Sequence, residues 1–465
     1  MQLIDQNLES FKSSKPVTLI DGIETVFKDR ISTYRNKYQA KFQELHRILL
    51  AQAKAEAPKL EYFQWLNFDY LKNLNDLKTK PLASKLKGQA YENLVIVGMG
   101  GSGINSLVLN NGLREFTKLD ESALKIFIQN NLDSSSMQAR LESLGDDIEK
   151  TLFVIISKSG GTDEVRRNLY SIIAYQIAKK PEKLKDLYRS IVLITEPERE
   201  GKKNFLHEFK KEIKTKFDVD MPVLENHPEI GGRFSMFSPV GMFTAELIGL
   251  DSSALLEGAE ACFNDFVNQE ELNDSKVANL ALIDIMLSDL AYVHRYSMVY
   301  ADSLEAMNKF RAQLKGESLN KNGIVSTVHI AGIGTVNHHS DLELLFKDNN
   351  NLVLEQIYFA KPAYEAVNPK INLEILKDLE NESNHASLIK NHIKPLRTYL
   401  IEKGNPVLTT VLPEQNEYNL AYFLFQDMLV TIVQAGIQDA IGSFEKLDLS
   451  IRQWEVEKYK KSLSK

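Results

Sequence analysis

A single cysteine, Cys262, stands among 465 residues. No intrachain disulfide is therefore available, and the scarcity fits a reducing compartment, taken here as the cytoplasm. Basic charge is not in excess: 56 lysines and arginines face 63 acidic residues, a formal net charge of −7. That balance speaks against nucleic acid as the main partner. No uninterrupted apolar run reaches the ~20 residues of a membrane span. The opening Met1-Gln2-Leu3-Ile4-Asp5-Gln6 lacks the basic-then-apolar order of a signal peptide. Low-complexity tracts, short-period repeats and Pro/Gly/Ser linkers are also missing. What is left is an ordinary globular balance, 43% hydrophobic and 26% charged, in a chain long enough for roughly two to four domains.

Two glycine turns organise the chain. Leu94-Val95-Ile96-Val97 runs into Gly98-Met99-Gly100-Gly101-Ser102-Gly103, and apolar residues then recur at Ile104, Leu107 and Leu109. This is the order strand, tight turn, helix start. Such a turn lets backbone N–H groups approach an anion at the positive end of a helix. A second example follows Phe153-Val154-Ile155-Ile156: Ser157-Lys158-Ser159-Gly160-Gly161-Thr162, three hydroxyls and an ammonium, with Asp163 and Glu164 opening the next helix. A hydroxyl-rich turn suits a small phosphomonoester; helix-cap chemistry is the competing reading.

Around these turns, residues 26–57 carry Phe27, Ile31, Tyr34, Tyr38 and Phe42 at three- to four-residue steps, an amphipathic helix expected to serve as a lid or packing layer. Apolar runs at Leu94–Val97, Lys125–Ile128, Thr151–Ile156 and Ile191–Ile194 alternate with helical periodicity, as in 165–178. That alternation argues a parallel sheet with helices on both faces and ligands at the carboxyl ends of the strands. Then come Gly231-Gly232-Arg233, a long helical region over about 275–314 ending in Gln313-Leu314-Lys315-Gly316-Glu317-Ser318, a second strand–helix series (325–331, 337–346, 352–359, 407–411), a helix at 419–440, and the tail Gln453-Trp454-Glu455-Val456-Glu457-Lys458-Tyr459-Lys460.

Taken singly, these residues have plain readings. Gly98, Gly100 and Gly103 fit Gly-x-Gly-x-x-Gly, but a dinucleotide fold also needs an acidic residue at the end of the next strand, and that run ends in Gln129-Asn130-Asn131. Arg233 could be a surface arginine, Glu317 a helix-terminal carboxylate, His338-His339 loop histidines, and Lys460 a solvated tail lysine. Adjacent histidines are not the usual metal-ligand spacing, and no nearby set completes a site.

Their order changes the weighing. The Gly-Met-Gly-Gly-Ser turn, Ser-Lys-Ser, Ile230-Gly231-Gly232-Arg233-Phe234-Ser235, Gln313-x-x-Gly-Glu317-Ser, His339-Ser340 and Gln453-Trp454-x-Val456-Glu457-x-x-Lys460 resemble, in sequence and in order, the glucose-6-phosphate isomerase (phosphoglucose isomerase) family. The resemblance runs from about residue 60 to the C-terminus. The Gly-Gly-Arg and Gln-Trp segments are highly specific; other sugar isomerase (SIS) domains share the first glycine turn.

The resemblance implies an α/β fold: two SIS-type three-layer α/β/α subdomains with parallel central sheets, plus N-terminal helices and a C-terminal helical tail. The expected divisions are 1–60, 61–265, 266–440 and 441–465. It also implies an aldose–ketose isomerase of glycolysis and gluconeogenesis, working through a cis-enediol(ate), without metal or cofactor, as a homodimer. Glu317 matches the base that carries a proton between C2 and C1, and Arg233 matches the residue stabilising the enediolate. His339 matches the ring-opening histidine supplied by the partner subunit, and Lys460 the lysine that assists it. Gly101, Ser102, Ser157, Lys158, Ser159 and Thr162 match phosphate-binding positions; Gln313 and Gln453 match substrate-contacting glutamines. Gly161, Glu343, Glu455 and Tyr459 depart from the family's usual residues, and none is one of the four catalytic positions. Two rivals remain: a non-catalytic sugar-phosphate sensor, which needs the turns but not Glu317, His339 and Lys460 together, and an isomerase of another sugar phosphate.

Overall fold

The computed structural model describes residues 13–54, 63–114, 124–319, 327–347, 351–364, 373–376, 385–438 and Leu447. Two compact units are present, one of residues Ala51–Leu256 and one of Met1–Leu50 with Glu257–Lys465. Among the described residues the strands are β1 (Val17–Leu19), β2 (Asn93–Gly98), β3 (Lys125–Gln129), β4 (Thr151–Ile156), β5 (Ile191–Thr195), β6 (Val223–Glu225), β7 (His294–Val299), β8 (Val328–Ile333), β9 (Leu352–Lys361) and β10 (Val407–Glu414).

In the unit Ala51–Leu256 the sheet order is β3-β2-β4-β5-β6, parallel throughout. Strands β2, β4 and β5 are buried at every position. Continuous apolar runs are what a parallel sheet covered on both faces requires. One covering helix, Asp163–Lys179, buries Val165, Leu169 and Ile172 in a core with Phe153, Ile155 and Leu193. The chain turns from β2 outward to β3 and then crosses back to β4. The β2/β4 junction is therefore the topological switch point, where sheets of this kind bind ligands.

In the other unit the order is β1-β10-β9-β7-β8. Strands β7 to β10 are parallel and repeat the 2-1-3-4 winding; β1 joins β10 antiparallel at the edge. Helix Asp21–Ala53, interrupted at Phe27 (φ −128°, ψ 27°), is a packing layer here. Its Ile31 lies in one cluster with Ile283, Met286, Val353 and Leu408. Helix Glu417–Ile437 is long and apolar enough to cross a membrane by length and composition, yet its residues 419–437 are buried. It is a core helix that carries Asn419, Gln426, Asp427 and Gln434 among its buried residues.

The expected helical region over 275–314 needs correction. It is helix Lys276–Asp289, then strand β7, then helix Glu305–Leu319. Periodicity conceals β7 because Arg295 and Ser297 interrupt its apolar residues. Both are buried and bonded, Arg295 to Asp284 and Ser297 to Arg311, so polar residues pass as interior ones. The 337–346 segment is a 3₁₀ turn, Val336–His339, followed by helix Leu342–Phe346.

Candidate active site

In the unit Ala51–Leu256 the parallel register sets Gly98 opposite Ile156. The two glycine turns that follow these residues thus sit side by side at the switch point. Gly100 has φ +55°, a left-handed value that favours glycine. Helix Gly101–Gly112 begins at once. A Cβ on Gly101 would lie 2.1 Å from the carbonyl oxygen of Gly232, so the first turn is seated directly on the Gly-Gly-Arg segment.

That segment is held rigidly. Phe63 bridges Ile230, Gln64 N donates to Glu229 O at 3.3 Å, and Ser235 Oγ donates to Gly232 O at 2.6 Å. Asn105 Nδ2, from the helix after the first turn, donates to Ser235 Oγ at 3.1 Å. Arg233 is only 2% exposed, which removes the surface-arginine reading. Its guanidinium lies 5.4 Å from the Phe234 ring centroid, and Phe234 stacks on Trp65 at 4.9 Å. The buried cation therefore lies against one aromatic ring, which is itself stacked on a second.

The second turn is equally constrained. The Lys158 carbonyl accepts from Glu196 N at 3.0 Å and from Thr195 Oγ1 at 3.0 Å. Thr195 in turn accepts from Asn204 Nδ2 at 2.8 Å. Thr162 is the N-cap of helix Asp163–Lys179, yet its hydroxyl makes no capping bond. It accepts from Ser157 Oγ at 3.0 Å instead. Burial lowers the Lys158 ammonium from 10.5 to about 8, against the pull of nearby Glu196.

Gly160 has φ +66°, and a Cβ there would lie 1.9 Å from Asn204 Oδ1, whereas one on Gly161 meets only Ser159 Oγ at 3.8 Å. Gly160→Ala is expected to cost ~1–3 kcal/mol and to raise KM for a sugar phosphate. Gly161→Ala is expected to stay within ~0.5 kcal/mol. Thermal melts and KM for the two variants check the contrast; equal effects would sink it.

In the other unit Glu317 lies near the end of helix Glu305–Leu319. Gln313 Nε2, one turn earlier, donates to Glu317 Oε1 at 3.1 Å. A Cβ on the intervening Gly316 would meet nothing within 4 Å, so the helix face at Gly316 is open. His338 is tied down: its Nε2 bonds Tyr300 OH at 3.0 Å, and Gln356 Nε2 donates to the same hydroxyl at 3.3 Å. Burial, then neighbouring His392, lowers the His338 pKa. His339 is exposed.

Topology holds Glu317 and His339 apart. Helix Glu305–Leu319 leaves the carboxyl end of β7 and runs back towards the amino edge, where β8 begins. The 12 residues from Glu305 to Glu317 rise ~18 Å along that path. His339 follows the carboxyl end of β8. The two residues therefore lie at opposite edges of one sheet. Gln453 and Lys460 lie outside the described residues. Among the described residues no group of three or more His, Cys, Asp or Glu side chains could hold a metal ion.

Comparison with known proteins bears on this arrangement. The family model for phosphoglucose isomerase matches residues 68–341, which take in both glycine turns, Arg233, Glu317 and His339. The chain belongs to the phosphoglucose isomerase family. A glucose-6-phosphate isomerase of Rubrobacter xylanophilus is 30% identical over 372 residues, 78% of this chain and 82% of that protein. The fold is shared with a hypothetical protein from Thermus thermophilus (TM-score 0.78, 21% identity, 97% and 98% of the two chains). It is shared also with a glucose-6-phosphate isomerase from Chlamydia trachomatis (TM-score 0.67, 18% identity, 90% and 77%). Sequence reasoning did not reach Thr195, Asn204 and Trp65, which hold the site from outside; their signal is tertiary and no local pattern carries it.

Proposed function

We propose that the protein interconverts glucose 6-phosphate and fructose 6-phosphate, an aldose–ketose isomerisation of glycolysis and gluconeogenesis. The observation that carries this reading is the pair of phosphate-type turns at the switch point with Gly101 seated on Gly232 beside the buried Arg233, in a member of the phosphoglucose isomerase family. The reaction is redox-neutral within one molecule: C1 is reduced as C2 is oxidised, and a base carries the proton between them. It needs no external hydride carrier. Gly101, Ser102, Ser157, Lys158, Ser159 and Thr162 hold the phosphate. Glu317 moves the proton, Arg233 stabilises the enediolate, and Gln313 and Gln453 contact the sugar. Ring opening needs a proton donor at the ring oxygen, a role suited to His339 and Lys460.

The enzyme works as a homodimer in the cytoplasm, each site taking the partner subunit's His339. The opposite-edge locations of Glu317 and His339 support this, because one such unit cannot present both to one small sugar. The test is a coupled assay: purified protein, fructose 6-phosphate, glucose-6-phosphate dehydrogenase and NADP, with and without chelator. NADPH formation at an enzymatic rate, indifferent to chelator, is expected. Folded protein that binds the sugar phosphate without producing NADPH would favour the sensor instead.

Lys158 supplies a pH prediction. Its pKa in the free protein is lowered, so the ammonium is lost as pH rises through about 8. The substrate phosphate stays dianionic there, its second pKa being ~6. KM is expected to climb above pH 8, and Lys158→Met to show a higher KM with that climb abolished. For stability the sign is opposite: a depressed lysine pKa penalises the fold below about 8, and the penalty is relieved as pH rises towards 10.5. A wild-type KM that is flat from pH 7 to 9.5 would remove Lys158 from the phosphate site.

A further inference from the structure

Helix Glu305–Leu319 carries two cations on its buried side, Arg311 and Lys315, each 3% exposed. All five guanidinium hydrogens of Arg311 are used. Nη1 and Nη2 form a fork on Glu355 at 2.7 and 2.8 Å, Nε reaches Asp427 Oδ2 at 2.6 Å, Nη2 reaches Asp427 Oδ1 at 3.4 Å, and Nη1 also donates to Ser297 Oγ at 2.9 Å. One turn on, Lys315 Nζ donates to Asp284 Oδ2 at 2.7 Å. The other oxygen of Asp284 is held by Arg295. Three cations and three carboxylates thus balance inside the unit.

These bonds attach the helix to four other elements: β7 through Ser297 and Arg295, β9 through Glu355, helix Lys276–Asp289 through Asp284, and helix Glu417–Ile437 through Asp427. A helix turns ~100° per residue, so Glu317 projects ~200° around from Lys315, away from the clamp. A buried ion network is a weak source of net stability, since desolvation offsets its attraction. What it fixes is geometry: a forked arginine admits little rotation or sliding of the helix.

We propose that Arg311 and Lys315 are positioning residues that set the rotation and height of the Glu317 helix for proton transfer. This rests on Glu317 being the base. An error of ~1 Å in a reacting group costs up to ~100-fold, whereas phosphate binding belongs to the other unit. Arg311→Met is therefore expected to lower kcat at least ~10-fold with KM within ~2-fold. The isotope effect with glucose 6-phosphate deuterated at C2 should rise as proton transfer becomes limiting.

Glu355→Gln keeps the shape of the acceptor but not its charge, and should show the same split more weakly. It also serves if Arg311→Met does not fold. Glu317→Gln is assayed alongside. If it abolishes turnover while folded Arg311→Met and Glu355→Gln keep wild-type kcat and isotope effect, the clamp is refuted. A rise in KM alone refutes it too. If Glu317→Gln itself retains turnover, the base assignment has failed instead.

Discussion

Glu317→Gln is expected to lower kcat by ~10²–10⁴-fold while leaving KM within a few-fold. The amide keeps the size of the side chain and can still take the hydrogen bond from Gln313 Nε2, so the helix has no reason to move. On the proposed assignment, what it loses is the basic oxygen that accepts the C2 proton and returns it to C1. Exchange of the C2 hydrogen with solvent, followed by NMR in deuterated water, should vanish with turnover. Turnover near the wild-type rate would end the assignment.

The same variant tests the proposal that two subunits share each site. Mixing Glu317→Gln chains with His339→Ala chains, after dissociation and reassociation, gives mixed dimers in which one site has both defects and the other has neither. With random pairing, half the dimers are mixed and each has one of two sites intact, so about a quarter of wild-type activity returns. If each site used its own chain's histidine, nothing would return. The two edges on which Glu317 and His339 stand favour recovery.

The sequence was legible where burial is uniform. Strands β2, β4 and β5 are continuous apolar runs because both faces are covered, and the glycines between strand and helix announce the turns. It was illegible where polar residues are interior. Strand β7 includes Arg295 and Ser297, whose partners come from two different helices, so its short Arg-Tyr-Ser-Met alternation reads as half-exposed although both polar residues are interior. Strands β1 and β6 have three residues each, too few for alternation to register. At the site, Gly101 and Gly232 were each readable as glycines that permit close approach. That they approach one another, from places far apart in the chain, is a tertiary fact. Arg233 reads locally as a surface cation, and burial alone reverses that.

Arg233→Met is the second large effect expected. The methionine replaces most of the buried volume of the arginine, so stacking of Phe234 on Trp65 and the Phe63–Ile230 bridge need not change, and the folded fraction should stay high. The reaction loses a fixed positive charge in a site the protein has already desolvated. A donor aimed at developing negative charge in such a setting supplies ~3–4 kcal/mol, so kcat should fall ~10²–10³-fold. If Arg233 serves the enediolate as proposed, a stable enediolate mimic such as a hydroxamate of a five-carbon aldonate phosphate should lose affinity by a similar factor. Glucose 6-phosphate, held mainly by its phosphate, should bind nearly as before. Arg233→Lys is expected to recover little, since an ammonium lacks the planar fork and the ring-stacking face that orient the guanidinium. Equal loss of affinity for mimic and substrate would mean that Arg233 contributes uniform binding, and the assignment of enediolate stabilisation to Arg233 would fall.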